Sequence, residues 1–336
     1  ATESLGPMLK FREPPAQKPL YGRRFASFHR WHAIVAFLLV AGAGFDTQAQ
    51  SGVLTATQPT AAIASANALA TNAGFEVLNK GGNAVDAAVA VATTLSVVQP
   101  EASGMGGGFL ALIHDAATGK DTFIDAREMA PAAVNSADYA NADGSPNRDH
   151  SVNGPLAAGI PGYPAGLAYM VEKYGKLPLS VSVAPAIRIA ENGFHPTESL
   201  VRSIQQVGDV LRRYPASKAK FFPGGKAPQT TDLFRDKAQA RTLKAFAAKG
   251  AKGFYAGPVA EEMVAAVKAA GGTWTMADLA AYEARERTPI ELNYAGYKVI
   301  TAPPVSSGGV AIAEMLNILA GIDLKDMGEV QRMHYV

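Results

Sequence analysis

Residues 81–109 read GGNAVDAAVAVATTLSVVQPEASGMGGGF, a helix end, a second helix and the entry to a strand pair in direct succession. Gly81-Gly82 closes the alanine-rich run 60–80, whose apolar residues Ile63, Leu69, Phe75 and Leu78 fall at helical spacing. Asn83 carries the short acceptor side chain of an N-cap. The run 84–98 is small and apolar on nearly every face, which predicts a helix buried between layers rather than laid on a surface. Pro100 ends it. Beyond the glycines, 109–114 and 122–125 read as two short strands joined by the turn segment 115–119.

Outward from this stretch, 130–153 is polar, with Asn-Ala-Asp-Gly at 141–144, and reads as a surface loop. A helical middle follows at 162–174, 182–192, 199–213, 235–249 and 259–270, with Gly193 and Gly271 where C-caps belong. A second strand pair is expected at 287–293 and 297–302 around Tyr294-Ala295-Gly296, then a final helix at 310–319. Strands at both ends of a helical middle point to a layered α+β fold, not to regular βαβ alternation. Residues 329–336 open one more helical pattern with no C-cap behind it, the expectation for a chain cut inside a domain.

Composition narrows the chemistry. The chain has 336 residues, 48% hydrophobic and 18% charged, a globular balance, and its net charge of +2 makes no electrostatic case for nucleic acid. Cysteine is absent, which removes disulfides, thiol nucleophiles and thiolate metal sites together. The six histidines are scattered, and no pair beyond residue 49 has helical metal-ligand spacing. Near the start, Arg23, Arg24 and Arg30 precede the apolar run 33–45, and Thr47-Gln48-Ala49 ends on a small residue. That order of regions describes a secretory signal peptide cleaved near Ala49, with residues 1–49 as leader and 50–336 as the working chain.

The glycine cluster Gly104-Met105-Gly106-Gly107-Gly108-Phe109 fails as a dinucleotide fingerprint. Phe109 stands in the place of the last glycine, and a strand follows where a helix is required. It also lacks the Lys-Ser/Thr ending of a phosphate loop, so it reads as a tight turn at which backbone approaches backbone or ligand closely. No Gly-x-Ser-x-Gly elbow is present, and Ser306 after Pro303-Pro304 reads as a helix-capping serine. The pairs Glu261/Glu262 and Glu283/Glu286 read as solvated faces of helical or turn segments. Arg127 follows the strand 122–125, where a guanidinium held rigidly is a two-toothed partner for a carboxylate. Its plainer reading is an ion pair with Asp125 or Glu128.

At these segments the sequence resembles the γ-glutamyltranspeptidases. The resemblance rests on Gly81-Gly82-Asn83-Ala84-Val85-Asp86-Ala87-Ala88, on residues 99–109, on Asp125-Ala126-Arg127-Glu128-Met129-Ala130-Pro131 and on Gly159-Ile160-Pro161-Gly162. Arg287-Thr288-Pro289-Ile290 and Pro303-Pro304-Val305-Ser306-Ser307-Gly308-Gly309 extend it, in order, from about residue 56 to 319. It implies an N-terminal-nucleophile hydrolase with a four-layer αββα sandwich, incomplete in a large-subunit fragment truncated at its C-terminal side. The precursor of such a protein cuts itself into large and small subunits. A threonine at the new terminus attacks the γ-glutamyl amide, its own amine serving as base, and the acyl group passes to water or to an amino acid or peptide.

The resemblance implies glutathione and other γ-glutamyl compounds as donors, the small subunit from the same precursor as partner, and no metal or organic cofactor. The signal-peptide pattern at the start places the protein in the periplasm or outside the cell, with no stable membrane span once the signal is removed. Arg127 matches the arginine that grips the donor's α-carboxylate. No catalytic residue is expected on this chain, because the nucleophilic threonine would lie beyond it; Thr93-Thr94 and Thr230-Thr231 do not match the processing site. Two alternatives stay open: a related acylase or poly-γ-glutamate-processing enzyme of the same fold, and a non-catalytic binding module.

Overall fold

A computed structural model describes residues 61–325 and 327–333. The signal-peptide region lies outside the described residues. The first helix, α1 (Ala68–Asn79), starts later than the alanine-rich run predicts, because the Asn67 side chain accepts the Leu69 N–H and caps it there. Helix α2 (Ala84–Val98) has the predicted limits. Asn83 accepts from Val85 and Asp86, and Asp86 returns the bond to the Asn83 N–H, a reciprocal capping box.

Two antiparallel strands follow, β1 (Phe109–Asp115) and β2 (Lys120–Ala126), in register from Phe109 opposite Ala126 to Asp115 opposite Lys120. The polar stretch after them is largely exposed and holds a 3-10 turn, an isolated antiparallel bridge between Ala140 and Pro146, and the short helix α3 (Arg148–Val152). Next come α4 (Tyr163–Tyr174) and α5 (Leu179–Asn192). The single helix expected at 199–213 is instead two, α6 (Glu198–Gln206) and α7 (Gly208–Arg213), divided at Val207. Then follow α8 (Pro215–Phe221), α9 (Lys237–Lys249), α10 (Lys252–Tyr255), α11 (Pro258–Ala269) and α12 (Met276–Ala280). Gly193 and Gly271 both have φ of 95°, the left-handed region that a glycine enters without a Cβ penalty.

The second strand pair departs from expectation. Residues 287–293 do not form one strand: β3 (Arg285–Arg287) joins the first sheet beside β2, and β4 (Ile290–Tyr294) pairs with β5 (Tyr297–Thr301). Pro289, between them, has no N–H to continue a ladder. The first sheet therefore runs β1-β2-β3, and the second is a two-stranded hairpin. Helix α13 (Ser307–Ala320) follows, capped by Ser306 as its sequence predicts, and α14 (Glu329–Arg332) comes last.

The core lies where α2, α5 and α9 pack in a row and α4 rests on β2. Val89, Val98, Val183, Leu243, Phe246 and Ile124 are completely buried there. Burying each such side chain stabilises the fold by about 1.5–3 kcal/mol. Among the described residues, no helix is long and apolar enough to cross a membrane.

Candidate functional site

The end of β2 is fixed by contacts from within the strand and from Ile160, Tyr282 and Arg287. The Arg127 N–H donates to Asp125 Oδ1 at 3.1 Å, and the Arg127 carbonyl accepts the Tyr282 hydroxyl at 2.7 Å. Two residues on, Met129 and Ile160 exchange both backbone bonds, at 3.1 and 2.7 Å. Asp125 is committed on its other oxygen, which accepts Arg287 Nε at 2.7 Å. The main chain at Arg127 is held on both sides, while its side chain is 60% exposed.

The glycine turn closes the same frame. The Gly107 carbonyl accepts the N–H groups of Gly162 and Tyr163, each at 2.9 Å. A Cβ on Gly108 would stand 2.8 Å from a Glu128 carboxylate oxygen and 3.0 Å from the Arg127 Cα. Only glycine lets the turn lie against β2 so closely. The cluster is thus a close-approach turn, as its composition predicts.

Beside this frame opens a cavity of about 1360 Å³. Its floor is the exposed stripe of α2, formed by Ala84, Ala88, Val91 and Leu95, and the glycine turn forms one wall. Glu128 belongs to the lining and Arg127 does not. The Arg127 Nε instead sits 3.7 Å from Glu128 Oε2, beside that wall. The expected pairing with Glu128 is present but long and exposed, so it holds the guanidinium weakly. Asp125 pairs with Arg287 and offers Arg127 only its backbone bond.

Two tyrosines are seated nearby. Burial pushes the Tyr163 phenol up to about 12, and its hydroxyl donates to the Ala92 carbonyl at 2.8 Å. Burial first, and then the charges of Asp125 and Glu128, push Tyr282 up to about 12. Both stay protonated donors at physiological pH. Glu286 overturns its expected place on a solvated turn: it lies on β3, where its carboxylate accepts Lys173 Nζ at 2.6 Å and the Tyr174 hydroxyl. Among the described residues, no group of three or more His, Asp or Glu side chains is placed to hold a metal ion. Sequence reasoning singled out Arg127 and the glycines but not Tyr282, which carries no motif and reaches the site across 155 residues.

These elements define a mixed α+β protein with a rigidly seated arginine next to a glycine-walled, apolar-floored cavity. A profile of the family described as Gamma-glutamyltranspeptidase matches residues 70–336. A glutathione hydrolase proenzyme from Pseudomonas sp. (strain A14) is 42% identical over 81% of this chain and 48% of its own length. The crystal structure of Helicobacter pylori gamma-glutamyltranspeptidase superposes with a TM-score of 0.80 at 38% identity, covering 84% of this chain and 81% of that one. The Acylase ACY 1 proenzyme of Pseudomonas sp. (strain SE83) is 37% identical over 77% of this chain and 48% of its length. The chain belongs to the gamma-glutamyltranspeptidase family. It spans about half the length of the curated relatives it matches.

Proposed function

We propose that this chain is the large-subunit part of an exported precursor that transfers γ-glutamyl groups from glutathione and related donors to water, amino acids or peptides. Residues 1–49 are its leader, 50–336 its contribution to the mature enzyme, and the periplasm or the extracellular space its destination. In this reading a four-layer αββα sandwich is completed by the small subunit from the same precursor, which also brings the nucleophilic threonine. Neither Thr-Thr pair here is suited to that task. Thr93 and Thr94 are fully buried in α2, with Thr93 Oγ1 bonded to the Val89 carbonyl, and Thr230-Thr231 sits in an exposed turn.

The observation that carries the proposal is Arg127: a main chain fixed from both sides and a guanidinium tied only by a 3.7 Å pair, inside a chain of this family. The γ-glutamyl end of a donor bears a free α-carboxylate. A guanidinium carried on that fixed main chain orients it by paired hydrogen bonds, so that the amide carbon is presented to the attacking hydroxyl in one geometry. Glu128 gives way as the carboxylate arrives, at little cost because the existing pair is long and wet.

Expressed as its complete reading frame, the protein is expected to split into two fragments and to release p-nitroaniline from γ-glutamyl-p-nitroanilide. Arg127→Ala is expected to raise KM for that donor about 10- to 100-fold, the range of a lost charge-assisted pair. Unchanged kinetics would remove the carboxylate role. The acylase reading, favoured by the likeness to Acylase ACY 1, makes the opposite forecast: acyl groups without an α-carboxylate are then preferred, and Arg127→Ala is neutral.

A further inference from the structure

We infer that Tyr282 is a positioning residue for Arg127, its hydroxyl setting where the guanidinium stands by fixing the carbonyl of the same residue. The inference rests on the reading of Arg127 as the carboxylate anchor and extends it to a residue outside the segments on which the resemblance rests.

The geometry leaves Tyr282 little other purpose. It follows α12 in an irregular segment, and its ring is buried, with 8% of the residue exposed. The ring stacks on Tyr255 at 5.7 Å between centroids and 4° between planes. Tyr255 is itself anchored, donating to the Pro161 carbonyl at 2.7 Å and accepting the Ala165 N–H at 3.3 Å. The phenol of Tyr282 is thereby aimed, and it donates to the Arg127 carbonyl at 2.7 Å. The proton needed for that bond is secure, because burial together with the charges of Asp125 and Glu128 pushes the phenol up to about 12.

On the other side of the same residue, Asp125 Oδ1 holds the N–H, and the Arg287 guanidinium keeps Asp125 from turning away. Residue 127 is therefore gripped at both ends of its main chain, by the Asp125 side chain two residues back and by that of Tyr282 from 155 residues away. A guanidinium on a flexible stem loses conformational freedom when it binds, and a fixed root reduces that loss. The Gly159-Ile160-Pro161-Gly162 segment acquires a reason here too: Gly162 has no Cβ because the Tyr282 hydroxyl and the Ala126 carbonyl occupy that space.

A tyrosine acting only as core packing would affect every property of the enzyme alike. A positioning residue acts through Arg127 alone. The test is a kinetic cycle on the complete processed enzyme with γ-glutamyl-p-nitroanilide, comparing Tyr282→Phe, Arg127→Ala and the double variant. Phenylalanine keeps the stacked ring and removes only the hydroxyl. Tyr282→Phe is expected to raise KM about 3- to 10-fold, with kcat within about 2-fold, as for one lost neutral hydrogen bond. In the Arg127→Ala background the same change is expected to alter kcat/KM by less than about 2-fold. An equal loss in both backgrounds overturns the positioning role. So does an unchanged KM in Tyr282→Phe when Arg127→Ala raises it, which leaves the carboxylate reading standing. An unchanged KM in Arg127→Ala overturns both.

Discussion

The carboxylate of Asp86 accepts the backbone N–H of Lys176 at 2.9 Å, tying the first turn of α2 to the turn that follows α4. The same side chain accepts the N–H groups of Asn83 at 2.9 Å and Leu177 at 3.3 Å, and it is completely buried. Asn83 reinforces the join by donating from its amide to the Tyr174 carbonyl at 2.6 Å. Asp86→Ala would take the acceptor from three N–H groups at once. It is expected to cost about 2–4 kcal/mol in urea unfolding, with Asp86→Asn costing less because one acceptor survives. A loss below about 1 kcal/mol for the alanine variant would show that the turn is held by other means.

The pair between Lys173 and Glu286 makes a forecast about acid. Burial raises the Glu286 carboxyl, but hydrogen bonds from Lys173 and Tyr174 pull harder the other way and leave it near 2, below the usual 4.5. A group whose folded value is depressed gives its stabilisation above the unfolded value and loses it as the pH falls toward the folded one. Glu286→Gln is therefore expected to be less stable than the parent by about 1–2 kcal/mol at pH 7, allowing for solvent around the half-exposed lysine. That gap should narrow between about pH 4.5 and 2. Thermal melts of both proteins across that range decide it, and a gap independent of pH would refute the ionic account.

How much of this could be read from the chain depends on the range of the force involved. Helix α2 was legible to the residue, because Asn83, an apolar run and Pro100 are local signals. The strands β1 and β2 and the Ser306 cap were legible for the same reason. The late start of α1 was not, since alanine and isoleucine suit a helix as well as the extended stretch before Asn67. The helices α8, α10 and α12 span only 7, 4 and 5 residues, too few turns for a period of 3.6 to emerge. The break at Pro289 was visible in principle, but which sheet claims Arg287 is set by its partners Phe123 and Asp125, over 160 residues away. The seating of Arg127 has the same character: its anchors Asp125 and Ile160 fall within motif segments, whereas Tyr282 does not.

Asp125 and Arg287 also form a measurable unit. The Asp125 side chain is 8% exposed and that of Arg287 34%, with Nε and Oδ2 2.7 Å apart. Arg287→Met would strand a buried carboxylate and is expected to cost about 3 kcal/mol. Asp125→Asn in addition removes the stranded charge, and the double variant is expected to recover at least about 1 kcal/mol of that loss. Strict additivity of the two changes would mean that the pair contributes no coupling across β2 and β3.

Two glycines separate steric need from backbone freedom. Gly162 has φ of −107°, which any residue can adopt, so alanine there suffers no conformational strain. Its Cβ would nevertheless overlap the Ala126 carbonyl oxygen and the Tyr282 hydroxyl. The carbonyl belongs to β2 and cannot yield without disturbing the register with Phe109. The hydroxyl can yield only by releasing Arg127. Gly162→Ala is therefore expected to lower stability by about 1–3 kcal/mol and to raise KM for a γ-glutamyl donor at least as much as Tyr282→Phe does. Gly106, in the same family of motifs, also avoids positive φ, and a Cβ there meets nothing within 4 Å. Gly106→Ala is expected to leave the unfolding midpoint unchanged or slightly higher, through the smaller entropy of its unfolded chain. Equal losses at 106 and 162 would show that crowding around the Arg127 frame is not what excludes a side chain from position 162.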